Sequence, residues 1–317
     1  MRREGSPFKG TWTIALKEAA DHITSARMHL VMVLVLLTAI GSAYGAIELL
    51  RQNADQDAFL FLKLMTGARE PLPSFASFMG FLIPLVAIAL GFDAVNGEFS
   101  RRTMSRILAQ PIYRDAVLFG KFLGGLLVLG IALMTLWLLL TGLGILLLGL
   151  PPSSDALVRG LAYLVATLAY AGVWLALAIA LSTIVHAPAT SALAALSIWL
   201  VVSVFWSITA PLLAQWIAPV DPLVPMSVIT QFEIQQAIAR LSPGTLYGEM
   251  TQLLLDPSAR TLGPIFIEQL HGAVIGAPLP TMQSILLVWP QFSGMIAAML
   301  VLFTLAYVVF QRQEVRA

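Results

Sequence analysis

Two long apolar runs of this chain are joined by a charged stretch, Asp93-Ala-Val-Asn-Gly-Glu-Phe-Ser-Arg-Arg-Thr-Met-Ser-Arg-Ile-Leu-Ala-Gln-Pro-Ile-Tyr-Arg-Asp-Ala-Val-Leu-Phe-Gly-Lys121. Apolar residues recur at helical spacing near its centre, and Pro111 ends that pattern. The stretch holds five of the chain's 18 basic residues: Arg101, Arg102, Arg106, Arg114 and Lys121. We expect a short basic amphipathic helix around Glu98 to Ala109, on the cytoplasmic face of a membrane. Its function is either that of an ordinary positive-inside loop or that of a docking helix for a soluble partner.

The composition predicts the class of protein. Of 317 residues, 58% are hydrophobic and only 11% are charged, and the mean hydropathy is +0.86. Soluble domains average about 25% charged residues, so an aqueous globular fold is excluded. The sequence therefore predicts an all-α polytopic membrane protein. It contains no Cys, and its four His residues are far apart, so we expect no metal site.

Six transmembrane helices follow from apolar runs of about 20 residues. They are predicted near 29–47, 75–93, 117–148, 157–184, 190–217 and 283–310. Glycines recur through the third span and predict close helix packing. The sequence His186-Ala187-Pro188-Ala189-Thr190 predicts a very short turn between spans four and five, and Pro211 is expected to interrupt span five.

The N-terminal residues 1–28 predict a cytoplasmic segment with an interfacial amphipathic helix. Trp12, Leu16, Ala19, Ile23 and Ala26 lie on one stripe of this helix. Trp12 is expected at the depth of the lipid headgroups. A signal peptide is the alternative for the run that follows, but the preceding polar region is too long, so we interpret that run as an uncleaved first span.

The distribution of basic residues predicts the orientation. Five precede the first span, five lie in the 93–121 stretch and two close the chain, against six in the remaining segments. The positive-inside rule then places both termini in the cytoplasm. The domain prediction is one six-span membrane domain over 29–317, with a cytoplasmic segment at 94–116 and an extracytoplasmic helical segment at 219–281. Within the latter, Ser242-Pro243 predicts a helix start and Asp256-Pro257 its end, and 227–241 predicts a second helix.

Several kinds of chemistry are disfavoured. No Asp, Glu, Lys or Arg lies near the middle of a predicted span, although proton-coupled carriers usually place a carboxylate there. No convergent set of polar residues indicates an enzyme. No Gly-x4-Gly-Lys-Ser/Thr phosphate loop occurs either. Any energy source is therefore expected in a separate chain.

The sequence from span two to span three resembles the ABC-2 type ABC transporter permease family. Members show an Asp near the end of span two, then Gly-Glu, a Thr before a large apolar residue, a Pro, a basic residue and Gly-Lys-Phe. The matching residues are Asp93, Gly97-Glu98, Thr103-Met104, Pro111, Arg114 and Gly120-Lys121-Phe122. Arg102 stands where Gly is usual, and Gln110 stands where Ser, Thr or an aromatic residue is common. A weaker resemblance covers the whole chain, and span two looks most similar to the nitrous oxide reductase maturation-type permeases.

The resemblance implies the membrane subunit of an ATP-driven exporter in the cytoplasmic (inner) membrane. It implies a homodimer or pseudo-dimer in which each permease pairs with one cytoplasmic ATP-binding subunit, and ATP and Mg are expected on that subunit rather than on this chain. Membrane lipid and an extracytoplasmic accessory protein are further expected partners, and nucleic acid is not. A membrane scaffold that transports nothing is the main alternative function, and a secondary carrier is a weaker one.

The resemblance also implies roles for individual residues. Arg101, Arg102 and Arg106 would pair with an acidic rim of the ATPase, while Met104 and Leu108 would fill an apolar pocket on it. Contacts to anionic lipid are the alternative for the three arginines. The full predicted coupling set is Glu98, Arg101, Arg102, Thr103, Met104, Arg106, Leu108, Pro111 and Arg114, and the predicted membrane-interface residues are Trp12 and Lys121.

The substrate is predicted only by class. An interior without charge suits lipids, hydrophobic drugs or peptides better than ions or highly charged sugars. Aromatic side chains in the spans are candidate contacts for an amphipathic substrate, although such residues are more often interface anchors or packing. They are Trp137, Tyr170, Trp174, Trp199 and Trp206.

Overall fold

The computed structural model describes residues 7–52, 59–110, 113–149, 151–220, 225–259 and 278–313, and these residues form helices and no strand. The helices are α1 (Pro7–Ile23), α2 (Ala26–Gln52), α3 (Leu60–Thr66), α4 (Phe75–Gly91), α5 (Asn96–Ser100), α6 (Met104–Leu108), α7 (Arg114–Leu148), α8 (Ser154–Ile184), α9 (Pro188–Trp199), a π-helix (Leu200–Phe205), α10 (Trp206–Ile217), α11 (Pro225–Ala239), α12 (Pro243–Leu255) and α13 (Thr281–Arg312).

The six predicted spans are confirmed. The described residues contain six helical stretches long and apolar enough to cross a membrane: Ala26–Leu50, Phe75–Ser100, Arg114–Leu147, Ser154–Ile184, Pro188–Ile217 and Thr281–Arg312. Their bounds differ from the predicted ones by a few residues, because polar helix ends extend beyond each apolar run. We call the end of the bundle that carries residues 93–121 the basic end. The end that carries α3, α11 and α12 is the opposite end.

Span four, α8, is the central helix. It packs against α4, α7, α12 and α13, and most of its side chains are buried. Ala, Gly, Ser and Thr recur along it, and such small residues let neighbouring helices approach closely in lipid. The Ser153 hydroxyl accepts a hydrogen bond from the Ala156 amide at 3.2 Å and so caps its first turn. The predicted turn after span four is confirmed, since α9 begins at Pro188.

The N-terminal helix α1 lies directly against the start of α7. A Cβ at Gly120 would be 2.6 Å from the Cβ of Ile14, and one at Gly124 would be 2.8 Å from the Ala15 carbonyl oxygen. Glycine at both positions therefore permits this contact. Trp12, Leu16 and Ile23 of the predicted apolar stripe are 52%, 51% and 45% exposed, as an interfacial helix requires, whereas Ala19 of that stripe is buried. Ala26 belongs to α2 instead.

At the opposite end, α12 is part of the bundle. Ser242 caps it as predicted, with its hydroxyl accepting from the Gly244 amide at 3.2 Å, and Pro243 occupies the first turn. Tyr247, Met250 and other side chains of one face are buried against α8 and α13. The predicted second helix corresponds to α11. The sequence did not predict α3, because a seven-residue helix is too short to show a period.

Arg159 holds the opposite end together. Its side chain is fully buried, and its guanidinium pairs with Asp155 at 2.9 Å. It also donates to the Leu254 carbonyl of α12 at 3.3 Å and to the Ser284 hydroxyl of α13 at 2.9 Å. One cation of span four thus joins the end of α12 to the start of the last span.

The irregularity of span five lies elsewhere than predicted. Pro211 sits within α10, whereas the backbone departs from α-helix at the π-helix Leu200–Phe205, where the Trp206 amide bonds the Val201 carbonyl. The Ser242 hydroxyl donates to the Val202 carbonyl at 2.7 Å, so α12 contacts this irregular turn. The prediction that Pro211 interrupts span five was therefore wrong. The sequence does not reveal the true position of the irregularity, because residues 200–205 contain no Gly or Pro.

Substitution of Gly124 tests the contact between α1 and α7. Gly124→Ala places a methyl group 2.8 Å from backbone and side-chain atoms of α1. We expect it to lower the free energy of unfolding by about 1–3 kcal/mol, the usual cost of overpacking. Gly142→Ala is the matched control, because a Cβ there meets nothing within 4 Å. Unfolding in mixed detergent micelles measures both, and an unchanged Gly124→Ala protein would contradict the tight contact.

Candidate coupling site at the basic end

The predicted single helix from Glu98 to Ala109 is two short helices, so that prediction was wrong. The helices α5 and α6 are separated by residues 101–103. Arg102 has φ 56°, a left-handed backbone conformation that favours glycine. The turn is closed by the Thr103 amide, which donates to the Glu98 carbonyl at 3.0 Å. This geometry explains why glycine is usual at position 102. Because this chain has Arg102 instead, its sequence gives no local sign of the turn.

The end of span four anchors the start of α5. The Ser182 hydroxyl accepts from the Val95 amide at 2.9 Å and from the Asn96 amide at 3.2 Å. The Asn96 side-chain amide in turn donates to the Val185 carbonyl at 2.9 Å. Sequence reasoning missed Ser182 and Asn96, because only the fold brings together residues 86 or more positions apart.

The start of span one provides a second anchor. The guanidinium of Arg27 lies 2.9 Å from the Asp93 carboxylate and 5.3 Å from the centre of the Phe92 ring. Asp93 is thus a charged partner of α2, which gives a structural reason for an Asp at the end of span two. The ion pair is partly exposed, with side-chain exposures of 53% and 17%, so its contribution to stability is small.

Lys121 forms the most buried ionic contact of the basic end. Its ammonium lies 2.9 Å from a carboxylate oxygen of Glu18 and 3.5 Å from one of Glu98, and its side chain is 3% exposed. The Thr103 hydroxyl donates to the other Glu98 oxygen. The Lys121 side chain is therefore covered by α1 rather than open to lipid headgroups, and its depth at the membrane interface stays a prediction. The contact also directs one Glu98 carboxylate oxygen toward Lys121, and the Glu98 side chain is 17% exposed.

The electrostatics of Glu18 follow from this contact. Burial raises the pKa of Glu18, but the ammonium of Lys121 opposes burial, and the net pKa lies below its ordinary value of 4.5. A carboxylate with a lowered pKa in the folded state stabilises the fold above its unfolded pKa. That contribution is lost as the pH falls through the lowered value. At neutral pH Glu18 is therefore a carboxylate, and its contribution to stability is present.

The outward face of the segment is basic and polar. Arg101, Arg102 and Arg106 are exposed, whereas Met104 is 1% exposed and packs in the apolar core of this chain. Met104 is therefore not positioned to fill a pocket on a partner, which corrects its predicted role. The Leu108 side chain and Pro111 lie outside the described residues.

The Arg114 side chain connects the start of α7 to the end of α13 and does not face outward. Its guanidinium donates to the Phe310 carbonyl at 2.8 Å and lies 5.1 Å from the centre of the Phe310 ring. The start of α7 is thereby tied to the end of α13. Within the described ranges, no group of three or more His, Asp or Glu residues could hold a metal ion.

A double-mutant cycle tests the buried ionic contact. Lys121→Met removes the buried ammonium and leaves the Glu18 carboxylate only the half-exposed Lys17 ammonium at 3.2 Å, so we expect the free energy of unfolding to fall by about 2–3 kcal/mol. Adding Glu18→Gln should recover part of this loss, because the stranded charge is gone. Arg69→Met is the matched control, since Arg69 and Glu48 are more exposed and 4.0 Å apart, and its cost should be below about 1 kcal/mol. Additive effects at Glu18 and Lys121 would contradict the coupling.

Substitution of Arg102 tests the turn between α5 and α6. Arg102→Gly should raise the free energy of unfolding by about 1 kcal/mol, because glycine adopts the left-handed conformation without steric cost. Arg101→Gly is the control: Arg101 has φ −83°, and glycine there should destabilise by about 0.5–1 kcal/mol. Equal effects of the two variants, measured by unfolding in detergent, would argue against this backbone geometry.

Comparison with known proteins agrees with this architecture. The profile of the family described as "ABC-2 family transporter protein" matches residues 12–315. The "Probable ABC transporter permease protein NosY" of Pseudomonas aeruginosa is 33% identical over 195 residues, which is 59% of this chain and 65% of that relative. The protein of the same name from Stutzerimonas stutzeri is 26% identical over 310 residues, covering 95% of this chain and 98% of the relative.

The family match spans all six candidate membrane helices, and it confirms the resemblance seen between Asp93 and Lys121. The first of the two relatives is covered over slightly less than two thirds of its length, while the second is covered almost completely. The chain belongs to the ABC-2 family of transporter proteins and is a multi-pass membrane permease.

Proposed function

We propose that this chain is the membrane subunit of an exporter that a separate cytoplasmic ATP-binding subunit drives. The observation that carries the proposal is the exposed basic face of α5 and α6, held on a segment that several spans anchor. Permeases of ABC transporters act with an ATP-binding subunit, and the family match supports that division of labour. ATP and Mg would bind the partner, and this chain would supply the path through the inner membrane.

The docking surface we propose is cationic. Arg101, Arg102 and Arg106 project from the segment, so a partner with an acidic rim fits it. The other exposed residues of the segment are polar or small, including Ser105 and Ala109. Because Met104 is buried, we expect ionic and polar contacts rather than an apolar knob to dominate this interface.

The anchors of the segment provide a route for force. Ser182 links it to span four, Asp93 links it to span one, and Glu98 links it to span three through Lys121. A partner that moves α5 and α6 therefore displaces the cytoplasmic ends of three spans together. Linkage requires the reverse as well, so substrate binding between the spans would alter the ATPase cycle.

A second copy of the chain completes the proposed exporter. Span five is mostly exposed, with large apolar side chains such as Leu193, Val201 and Phe205 facing outward. That face supports contact with the second copy as well as with lipid. Both termini would lie in the cytoplasm, as the distribution of basic residues predicts. An extracytoplasmic accessory protein would meet α11, where Met226 and Val228 are exposed.

Charge reversal tests the docking surface. In co-purification with a candidate ATP-binding subunit, Arg101→Glu/Arg102→Glu/Arg106→Glu should insert normally and lose the subunit. Arg312→Glu is the matched control, because Arg312 is exposed at the same end and should retain the subunit. The wild-type complex should also weaken as salt rises above about 0.1 M, where the screening length is roughly 10 Å.

Retention of the subunit by the charge-reversed protein would contradict the proposed docking surface. If the charge-reversed protein keeps the same subunit and the same rate of ATP hydrolysis, α5 and α6 are only a positive-inside connection. The proposed docking surface would then be rejected, while membership of the family would stand.

A further inference from the structure

A large cavity opens at the opposite end of the bundle and reaches the middle of the membrane span. Its volume is about 880 Å³, within the range of roughly 300–1,000 Å³ typical of small-molecule sites. Its walls are α3, α4, the π-helix of span five and α12. Ser74 and Asp256 line its outer part, and Tyr170, near the midpoint of α8, lines its inner part.

Two stacked tyrosines form the floor. The rings of Tyr170 and Tyr247 are 4.4 Å apart with an angle of 8° between them, and the Tyr247 hydroxyl is hydrogen-bonded to that of Tyr163 at 2.6 Å. The Tyr170 hydroxyl donates to the Gly80 carbonyl at 3.1 Å. Pro84, four residues later in α4, has no N–H to bond that carbonyl. The floor is thus fixed by hydrogen bonds, and it borders the part of α4 that contains Pro84.

Two further aromatic side chains form a side wall. The rings of Phe81 and Trp199 meet edge to face at 5.1 Å, and Phe81 is 51% exposed. The π-helix contributes Ser203 and Val204 beside them. π-Helical turns occur frequently at functional sites. Aromatic faces on a fixed scaffold suit an apolar or aromatic ligand body.

The polar lining groups are mainly neutral. Hydroxyl and amide side chains line the cavity, among them Thr66, Thr251 and Gln252. Lys63 and Asp256 are the lining residues that carry a formal charge, and the two charges are opposite. The Asp256 carboxylate accepts a hydrogen bond from the Ser258 amide at 3.0 Å. The lining therefore carries no net formal charge, and burying a charged ligand against its aromatic floor would be costly.

We propose that this cavity binds an uncharged amphiphile from the opposite, extracytoplasmic side. The apolar or aromatic body of the ligand lies against Phe81, Trp199 and Tyr170, and its hydroxyl or amide groups bond the polar residues nearer the mouth. That the ligand is the exported compound rests on the function proposed above. Binding itself does not, because every wall described here belongs to this chain.

Photo-crosslinking tests the proposal in proteoliposomes that contain the full chain and no ATP-binding subunit. The probe is 4-(hydroxymethyl)benzophenone, an uncharged aromatic alcohol that forms covalent bonds on irradiation. Its comparison compound, 4-benzoylbenzoate, has nearly the same shape and carries one negative charge. Mass spectrometry of peptides then locates the crosslinks. We expect them on peptides that contain Phe81, Trp199 and α12, and we expect about tenfold fewer with the anion.

Gly248 offers a position from which a large side chain can be placed in the cavity. It lines the cavity, and a Cβ there meets nothing within 4 Å. Gly248→Trp should reduce crosslinking at these peptides about tenfold, because it displaces the aromatic contacts of the probe. Gly142→Trp is the matched control, since Gly142 has equal free space and does not line the cavity, and crosslinking should be unchanged.

Three results would overturn the proposal. Crosslinks spread along exposed faces such as that of Leu193 would indicate partition into lipid. Undiminished crosslinking in Gly248→Trp would place the probe elsewhere, and equal crosslinking by the anion would reject the uncharged class. The absence of the ATP-binding subunit separates this test from the docking test, because either one can fail while the other succeeds.

Discussion

The buried ammonium of Lys121 is the contact on which the basic end of this permease depends. It lies between the carboxylates of Glu18 and Glu98, and so it joins the N-terminal helix, span three and the candidate coupling segment. A buried cation is tolerated only when it is paired. The three elements are therefore constrained to one arrangement, and the glycines at 120 and 124 allow α1 to come close enough for it.

At the opposite end, a second buried cation joins several helices. Arg159 is fully buried and bonded to α12 and α13, as Lys121 is bonded at the basic end. Both lie toward the ends of their spans rather than at the midplane, where an ionic group would cost the most. Between the two, the packing of α8 is apolar or hydroxyl-bearing. The centre of the bundle is thus held by close packing, and its two ends are held by ionic contacts.

Spans two and five differ from this packed centre in their backbone. Pro84 leaves the Gly80 carbonyl to the hydroxyl of Tyr170, and the Val202 carbonyl of the π-helix accepts a hydrogen bond from the hydroxyl of Ser242. Both irregularities border the same cavity. Pro84 is visible in the sequence, whereas the π-helix is not, because residues 200–205 have the composition of an ordinary apolar helix. The candidate ligand site therefore depends on a feature that sequence patterns alone do not show.

The sequence by itself determined the class, the six spans, the cap at Ser242 and the basic segment, because each depends on local composition and spacing along the chain. The direction of each side chain in that segment was decided only by tertiary structure. Met104 and Glu98 looked available to a partner, yet Met104 is buried in the apolar core and Glu98 pairs with the buried cation of Lys121. Contacts between residues roughly a hundred positions apart, as between Glu18 and Lys121, leave no periodic signal in the chain. Only the packing of the helices brings them together.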